Sequence, residues 1–550
     1  MCRISSLLNL KKCDMKQLSL YIILLLLAVA CYDDLGNYDY TELNSVTVDS
    51  IQSNWYDKYS YADTLKINPV LNLALGGSED HLKFEWRLIP LHDRYNKDSI
   101  SVEEQSAGYI IGREKNLSYP LTEKPGDYAG FFYVKDTLTG ISYKTDFYVR
   151  LRIAVSDGWM VLCEEAGKAR LDMISYTSEN EKLISYNIWE GLGMELGKPY
   201  KLVYNYNRTF GTSRLACCES GTFNLDPETL QPSDENNMIW QFSENPNKVE
   251  IVGGITMINS DPRREIVVTS EGELFWRKYD DLVNGIQFTF PVNRLEKSDE
   301  YFKVSRHIGY KPNYAWPNTC SVILYDETNR RFLALESMGK KDWWGNVTYE
   351  AKDYPNVLTF TGGTVDYDAN TGKDLVHMEG TREGYVFAVL KTPGTEDYDI
   401  YGMITNIDYK VERTHYMRLL PANGDKIIHF AFHPVFRILY YATEQGDVYQ
   451  FNLSTPEKKA EKILSFPGER ISVMKFQCPV AYVAYEPWER AREYWLYVAG
   501  YDTACEESVS GIFRMYDFPQ QTSAPVLKQE IKQLGKIIDI AYRFKNDYKK

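Results

Sequence analysis

The chain has 550 residues, of which 44% are hydrophobic and 14% aromatic, and it carries a formal net charge of −14. That length exceeds what one hydrophobic core supports, so two or more domains are expected. The acidic balance argues against nucleic acid or anionic lipid as a partner bound through bulk charge.

The first predicted element is an apolar run of thirteen residues, Leu18 to Ala30. A bilayer-spanning helix needs about 20, so the run reads as the hydrophobic region of a signal peptide. It ends in Ala28-Val29-Ala30-Cys31, where small residues admit a signal peptidase and the cysteine thiol receives a diacylglycerol. A buried N-terminal helix with an incidental cysteine is the alternative. Residues 1–30 are thus expected to be a lipoprotein signal peptide. Its start is Met15, because Asp14 and two cysteines sit where a cationic segment belongs. Residues 31–44 follow as a tether lipidated at Cys31. Removing residues 1–30 takes away Arg3, Lys11, Lys12 and Lys16 against Asp14, which moves the balance from −14 to −17. The acyl chains would then hold the protein on a membrane, since two or more give stable anchoring.

Residues 45–155 alternate in short runs broken by turns, among them Phe84-Glu85-Trp86-Arg87-Leu88 and Phe147 to Ile153. Period-two patterning over about 100 residues predicts a β-sandwich with Trp86 packed between its sheets. Gly126-Asp127-Tyr128, Val134-Lys135-Asp136 and Gly140 resemble the glycine, tyrosine and aspartate pattern of PKD domains. The family's usual Gly-Asp-Gly after the tryptophan is absent.

From residue 156 to 550 a strand, glycine turn, strand pattern recurs. Val267 to Trp276 lines up with Tyr441 to Gln450, and weaker copies surround Gly167, Gly221 and Gly511. Further hairpins at Asp326 to Arg330 and Pro393-Gly394 fill the gap between Gly272 and Gly446. Seven hairpins predict a seven-bladed β-propeller, with six or eight blades as the alternatives. Ile537 to Tyr542 repeats the pattern of Ile427 to Phe432 but has no hairpin after it, whereas the hairpin at Trp159 to Leu162 lacks an inner strand. The last strand is therefore expected to complete the first blade and remove the open sheet edges. The predicted fold class is all-β, a sandwich followed by a propeller.

Catalytic signatures such as HExxH, a Walker loop, G-x-S-x-G or a Rossmann glycine run do not occur, and no cofactor is expected. Cys163, Cys217, Cys218, Cys320, Cys478 and Cys505 show neither a disulfide framework nor metal spacing, and they read as small buried hydrophobes. His429 and His433 read as strand and turn residues. Asp366, Asp368, Asn370 and Asp374 are spaced much like a calcium loop, but Thr371 and His377 replace the glycine and glutamate such loops need. A solvated turn is the better reading. Aromatics outside any alternating strand are the candidate ligand surface: Tyr314 and Trp316, Trp343 and Trp344, and Tyr485 and Trp488. Flat rings on loops stack on sugars or grip peptides.

The decapeptide Cys31 to Tyr40 resembles the mature N-terminus of the PKD-like family of Bacteroidetes lipoproteins. The resemblance implies a setting beside starch-utilisation-type outer-membrane transporters and their surface lipoprotein partners, with capture of glycan or sometimes peptide. Asp33 and Asp34 resemble the signal that exports lipoproteins to the outer leaflet. The expectation is a non-catalytic, surface-exposed outer-membrane lipoprotein that binds glycan or peptide. The alternatives are a propeller glycoside hydrolase or lyase, and a structural subunit of the transporter complex.

Overall fold

The computed structural model describes residues 44–51, 55–60, 63–91, 108–152, 155, 157–176, 178–205, 212–257, 264–278, 285–310, 322–336, 339–341, 347–349, 355–359, 362–405, 411–422, 424–476, 487–519 and 524–544. Contacts divide the chain into two units. One takes in residues up to 56 together with 64–120 and 127–149, and the other residues 57–63, 121–126 and 150–550. Among the described residues no helix is long and apolar enough to cross a membrane.

The N-terminal strands are those of a sandwich. A five-stranded antiparallel sheet runs in the order Trp55–Tyr59, Ser142–Arg152, Gly126–Asp136, Leu82–Pro90 and Tyr109–Gly112. Smaller pairs join Val46–Asp49 to Val70–Leu73 and Thr64–Ile67 to Leu117–Pro120. Trp86 is fully buried, stacked on Phe132 at 4.0 Å and edge-on to Phe147 at 5.7 Å. Its indole N–H donates to the Glu114 carbonyl at 2.8 Å, which satisfies the one polar atom this ring brings into the core. Asp136 closes the turn after its strand by accepting from Leu138 N–H and Thr139 Oγ1 at 2.8 Å each. Those bonds account for much of the hold on its carboxyl below the usual carboxylate range.

The second unit is a β-propeller in which the described residues form seven blade sheets and one separate two-stranded sheet, Gly339–Lys341 with Val347–Tyr349. From the inside out, blade 1 is Lys536–Arg543, Gly158–Glu165, Lys168–Tyr176 and Lys182–Ser185. Blade 2 is Pro199–Asn205, Ser213–Cys218 and Gly221–Asn224, and blade 3 is Ile251–Met257, Arg264–Thr269 and Leu274–Lys278. Blade 4 has Val322–Asp326, Arg331–Leu335 and Val357–Leu358; at its innermost position the described residues make the bridges Val304 to Asp326 and Gly309 to Ile323. Blade 5 is Asp374–Gly380, Tyr385–Lys391, Tyr398–Thr405 and Val411–Arg418. Blade 6 is Ile427–Phe432, Ile438–Thr443, Asp447–Asn452 and Glu461–Ser465. Blade 7 is Glu469–Phe476, Leu496–Asp502, Gly511–Asp517 and Val526–Leu534.

Apolar residues from facing blade surfaces make the core. Leu439, Tyr441 and Phe451 of blade 6 meet Phe387, Val389 and Ile400 of blade 5, for example, in one buried cluster. The hairpin turn of blade 6 works through its backbone. Gly446 sits at φ +82° and a Cβ there would lie 2.5 Å from the Phe466 carbonyl oxygen, so only glycine fits.

The C-terminal strand pairs antiparallel with the strand that starts the propeller, from Gly158 opposite Arg543 to Glu164 opposite Lys536. Arg543 is fully buried and donates to the Val155 carbonyl at 2.8 Å and to the Pro227 carbonyl. The closing strand is thereby tied to the start of the propeller and to the loop after blade 2.

The cysteine expectation needs one correction. Cys163, Cys217 and Cys218 are buried and free, but Cys505 is exposed, because it lies in the turn after Leu496–Asp502 and not in a strand. Cys320 and Cys478 lie outside the described residues.

Candidate functional site

The inner strands enclose a central channel of about 570 Å³ that takes lining residues from all seven blades, a volume within the range of small-molecule sites. A repeated backbone feature shapes its wall. The inner strands of blades 2, 3, 5, 6 and 7 shift register between Pro199 and Lys201, Ile251 and Gly253, Leu375 and His377, Ile427 and His429, and Ile471 and Val473. Blade 1 makes the same shift, between Asp539 and Ile537 opposite the pair Leu162/Cys163. Each shift is a β-bulge that leaves one inner-strand residue unpaired and re-aims its neighbours. The unpaired residues Tyr200, Val252, Val376, Ile428, Ser472 and Ile538 all line the channel, and so do their neighbours Lys201, Gly253, His377, His429, Val473 and Asp539. An unbulged strand would turn alternate residues away from the lumen.

The charged groups sit at this bulge level. Asp539 accepts from Leu202 N–H and Ile540 N–H at 2.9 Å each, and lies 3.0 Å from Lys201 Nζ and 3.8 Å from Lys475 Nζ. Burial alone would raise its pKa, but the two lysines and the Leu202 N–H more than offset that and hold it below the usual range. Lys475, which also donates to the Ile540 carbonyl, is pushed down to about 8 by burial, against the pull of Asp539. Its side chain, part of the channel wall, nevertheless keeps 32% of its surface exposed.

Three imidazoles complete this level. His429 lies against the Ile471 carbonyl, Nε2 to O 3.0 Å, and burial lowers its pKa to about 4. His307 is held well below the ordinary histidine value, first by burial and then by His377, Arg306 and Lys201. The rings of His307 and His377 are 5.3 Å apart. Glu379 accepts from Phe432 N–H, and its Oε1 is 3.2 Å from His377 Nε2.

Further along the same strands, at roughly 3.3 Å per residue, the wall becomes aromatic. Tyr204, Tyr542, Phe544 and Trp159 all line the channel. Tyr204 and Phe544 rings are 5.8 Å apart, Tyr542 and Trp159 rings 5.1 Å, and Phe544 N–H donates to Tyr204 Oη at 3.0 Å.

Of the six aromatic residues proposed from sequence, five lie outside the described residues and one lies away from the channel. Tyr314, Trp316, Trp343, Trp344 and Tyr485 are not among the described residues, although the strand pair Gly339–Lys341 and Val347–Tyr349 brackets Trp343 and Trp344. Cys31, Asp33 and Asp34 also lie outside them. Trp488 is described and does not form a loop platform. It is half-buried against the core between blades 7 and 1, with the buried Arg492 guanidinium 4.4 Å from its ring centroid and 4.0 Å from that of Tyr176.

The calcium-like spacing gives a turn. Asp368 Oδ1 accepts Asn370 N–H at 2.9 Å, Asp374 pairs with Arg330 at 2.8 Å, and Asp366 faces solvent 3.4 Å from Arg413. Among the described residues no three acidic, histidine or cysteine side chains converge to hold a metal. His433 accepts the Val435 and Phe436 N–H groups at Nδ1, at 3.1 and 2.9 Å, and so caps the turn after blade 6's inner strand.

Residues 31–198 match the model of the PKD-like family, a stretch that takes in the sandwich and the outer strands of blade 1. No curated protein matches the chain. Among solved structures the chain is similar to a quinonprotein alcohol dehydrogenase-like protein from Bacteroides thetaiotaomicron, at 11% identity over 92% of this chain and 100% of that one, TM-score 0.43. It is also similar to apo AztD from Citrobacter koseri, at 14% identity over 83% and 97%, TM-score 0.33. A third is BamB from Moraxella catarrhalis, at 10% identity over 69% and 92%, TM-score 0.30.

Proposed function

We propose that the protein is a non-catalytic, lipid-anchored protein of the outer cell surface that binds a glycan, or a peptide, as an accessory component of an outer-membrane nutrient-uptake system. The observation that carries the binding part is the channel, whose bulged inner strands turn polar side chains from blade after blade into one lumen beside aromatic faces. Such a mix of convergent polar groups and flat apolar surface suits a sugar or a short peptide. The lipid anchor and the uptake setting rest on the Cys31 site and the N-terminal resemblance.

The non-catalytic part rests on the channel carboxylates. A glycosidase needs one carboxyl that keeps its proton near neutrality and a second that is free to act as base or nucleophile. Asp539 is held ionised by two lysines, and Glu379 is engaged by the Phe432 N–H. The test is calorimetry of the full chain carrying Cys31→Ala against a panel of glycans and peptides, with product analysis by chromatography. Binding without product supports the reading. Turnover of any ligand shows an enzyme, and stable association with a transporter partner in place of any ligand shows a structural subunit.

A further inference from the structure

The channel differs in sign from the rest of the molecule. Its lining residues include three cations, Lys201, Arg306 and Lys475, against two carboxylates, Asp539 and Glu379, in a chain whose net charge is −14. Two histidines of the wall, His307 and His429, add no charge at neutral pH, because burial keeps them deprotonated. Lys201 and Lys475 share Asp539 between them. Arg306 is exposed, and its Nε contact is with His307 Nε2 at 3.4 Å and not with a carboxylate.

A second observation points the same way. Trp159 Nε1 and Asn205 Nδ2 are buried donors that find no hydrogen-bond partner among the described residues, and both residues line the channel. They are 1% and 8% exposed. A buried N–H left without an acceptor costs about 1–3 kcal/mol, so these two call for an acceptor-rich occupant. The structure therefore has unmet donors near its aromatic faces and an unneutralised cation at the bulge level.

Resting on the binding reading above, we infer that the ligand is a short acidic saccharide, whose carboxylate meets Arg306 and the lysines while a neighbouring ring lies against Tyr204 and Tyr542 with its hydroxyls accepting from Trp159 and Asn205. A guanidinium presents a planar fork that matches a carboxylate bidentately. A pyranose offers both the apolar face that stacks on an aromatic ring and the oxygens that accept from an indole N–H. A neutral sugar would leave the excess cation unused, and a simple inorganic anion would leave the aromatic end bare.

The experiment is calorimetry of the full chain carrying Cys31→Ala with digalacturonate, with unsaturated disaccharides from alginate and chondroitin, with lactose and cellobiose as neutral counterparts, and with the dipeptide Asp-Glu. At least one acidic saccharide is expected to bind roughly tenfold or more tightly than either neutral disaccharide, and Arg306→Gln should reduce that preference by a similar factor. Because Arg306 is exposed, the variant should keep the wild-type melting temperature. Binding of a neutral disaccharide as tight as any acidic one, unaffected by Arg306→Gln, overturns the inference and leaves the binding reading standing. Binding of Asp-Glu with no acidic saccharide overturns the saccharide assignment. No heat with any of these probes, together with stable association to a transporter partner, overturns both.

Discussion

The carboxylate of Asp172 accepts the backbone N–H of Gly535 at 2.9 Å, across 363 positions of sequence. The same fully buried carboxylate is paired with Arg170 at 2.7 Å and accepts Asn187 N–H at 2.7 Å, so one side chain of blade 1 fixes the residue just before the closing strand.

Closure of the ring should depend on this contact. Asp172→Ala leaves Arg170 buried without its main partner and frees Gly535, and breaking such a pair costs roughly 3–5 kcal/mol. Truncation after Gly535 removes the whole strand and exposes the edge of Gly158–Glu165. Both variants should melt well below wild type in a thermal scan followed by circular dichroism. A truncated protein with an unchanged melting temperature would contradict closure as the source of stability.

The channel should also give stability a specific pH dependence. Lys475 titrates near 8 in the folded protein and at its ordinary value of 10.5 when unfolded. Between about pH 8 and 10 the unfolded chain thus holds a proton that the folded protein has lost, and this group's contribution to stability rises with pH. The charged and titratable groups around it are Asp539, Lys201 and Glu379. His429, lowered to about 4, acts in the same sense in acid: from pH 6.5 down to 4 the unfolded chain gains a proton that the folded ring refuses, so stability falls. Urea unfolding of wild type and Lys475→Met at pH 7.5 and 9.5 should show wild type gaining relative to the variant. Equal slopes would mean that Lys475 keeps an ordinary pKa.

Trp488→Ala should destabilise without touching ligand affinity. Its ring covers the buried Arg492, which also lies over Tyr176 and Trp495, and losing that cover should cost about 2 kcal/mol. Loss of binding at wild-type stability would restore Trp488 to the ligand surface.

Lipidation should govern location. Cys31→Ala should abolish incorporation of labelled palmitate and move the protein out of the membrane fraction. Changing Asp33 and Asp34 together to alanine should protect the chain from external protease. An unlabelled wild type that still pellets with membranes would remove Cys31 from this role.

The fold was legible because a propeller repeats its turns. The glycine and Asp-Asn hairpins mark every blade, and the likeness of Ile427-Ile428-His429 to Ile537-Ile538-Asp539 marks two inner strands in the sequence itself. Blade 4 was harder, since among the described residues its innermost segment makes bridges and no regular strand. The channel was missed because each blade contributes only one or two polar residues, separated by about a blade's length of sequence, so no local motif exists. The signal that could have found it is the polar residue within an apolar inner strand: Lys201, His377, His429, Lys475 and Asp539. His429 and Asp539 occupy the same position in the two strands already aligned. Loop aromatics drew attention instead, because a ring outside an alternating strand looks free until the cation it covers, as Arg492 under Trp488, is placed.

A ligand that binds in the channel must be displaced when the channel is filled. Ser472 is the unpaired residue of blade 7's bulge, half-buried on the channel wall. Ser472→Trp should place an indole in the lumen without disturbing a strand pair. Calorimetry with digalacturonate and the other acidic saccharides should then show affinity reduced by roughly tenfold or more, about 1.4 kcal/mol, at an unchanged melting temperature. Wild-type affinity in a folded Ser472→Trp protein would contradict the account and put the site outside the channel.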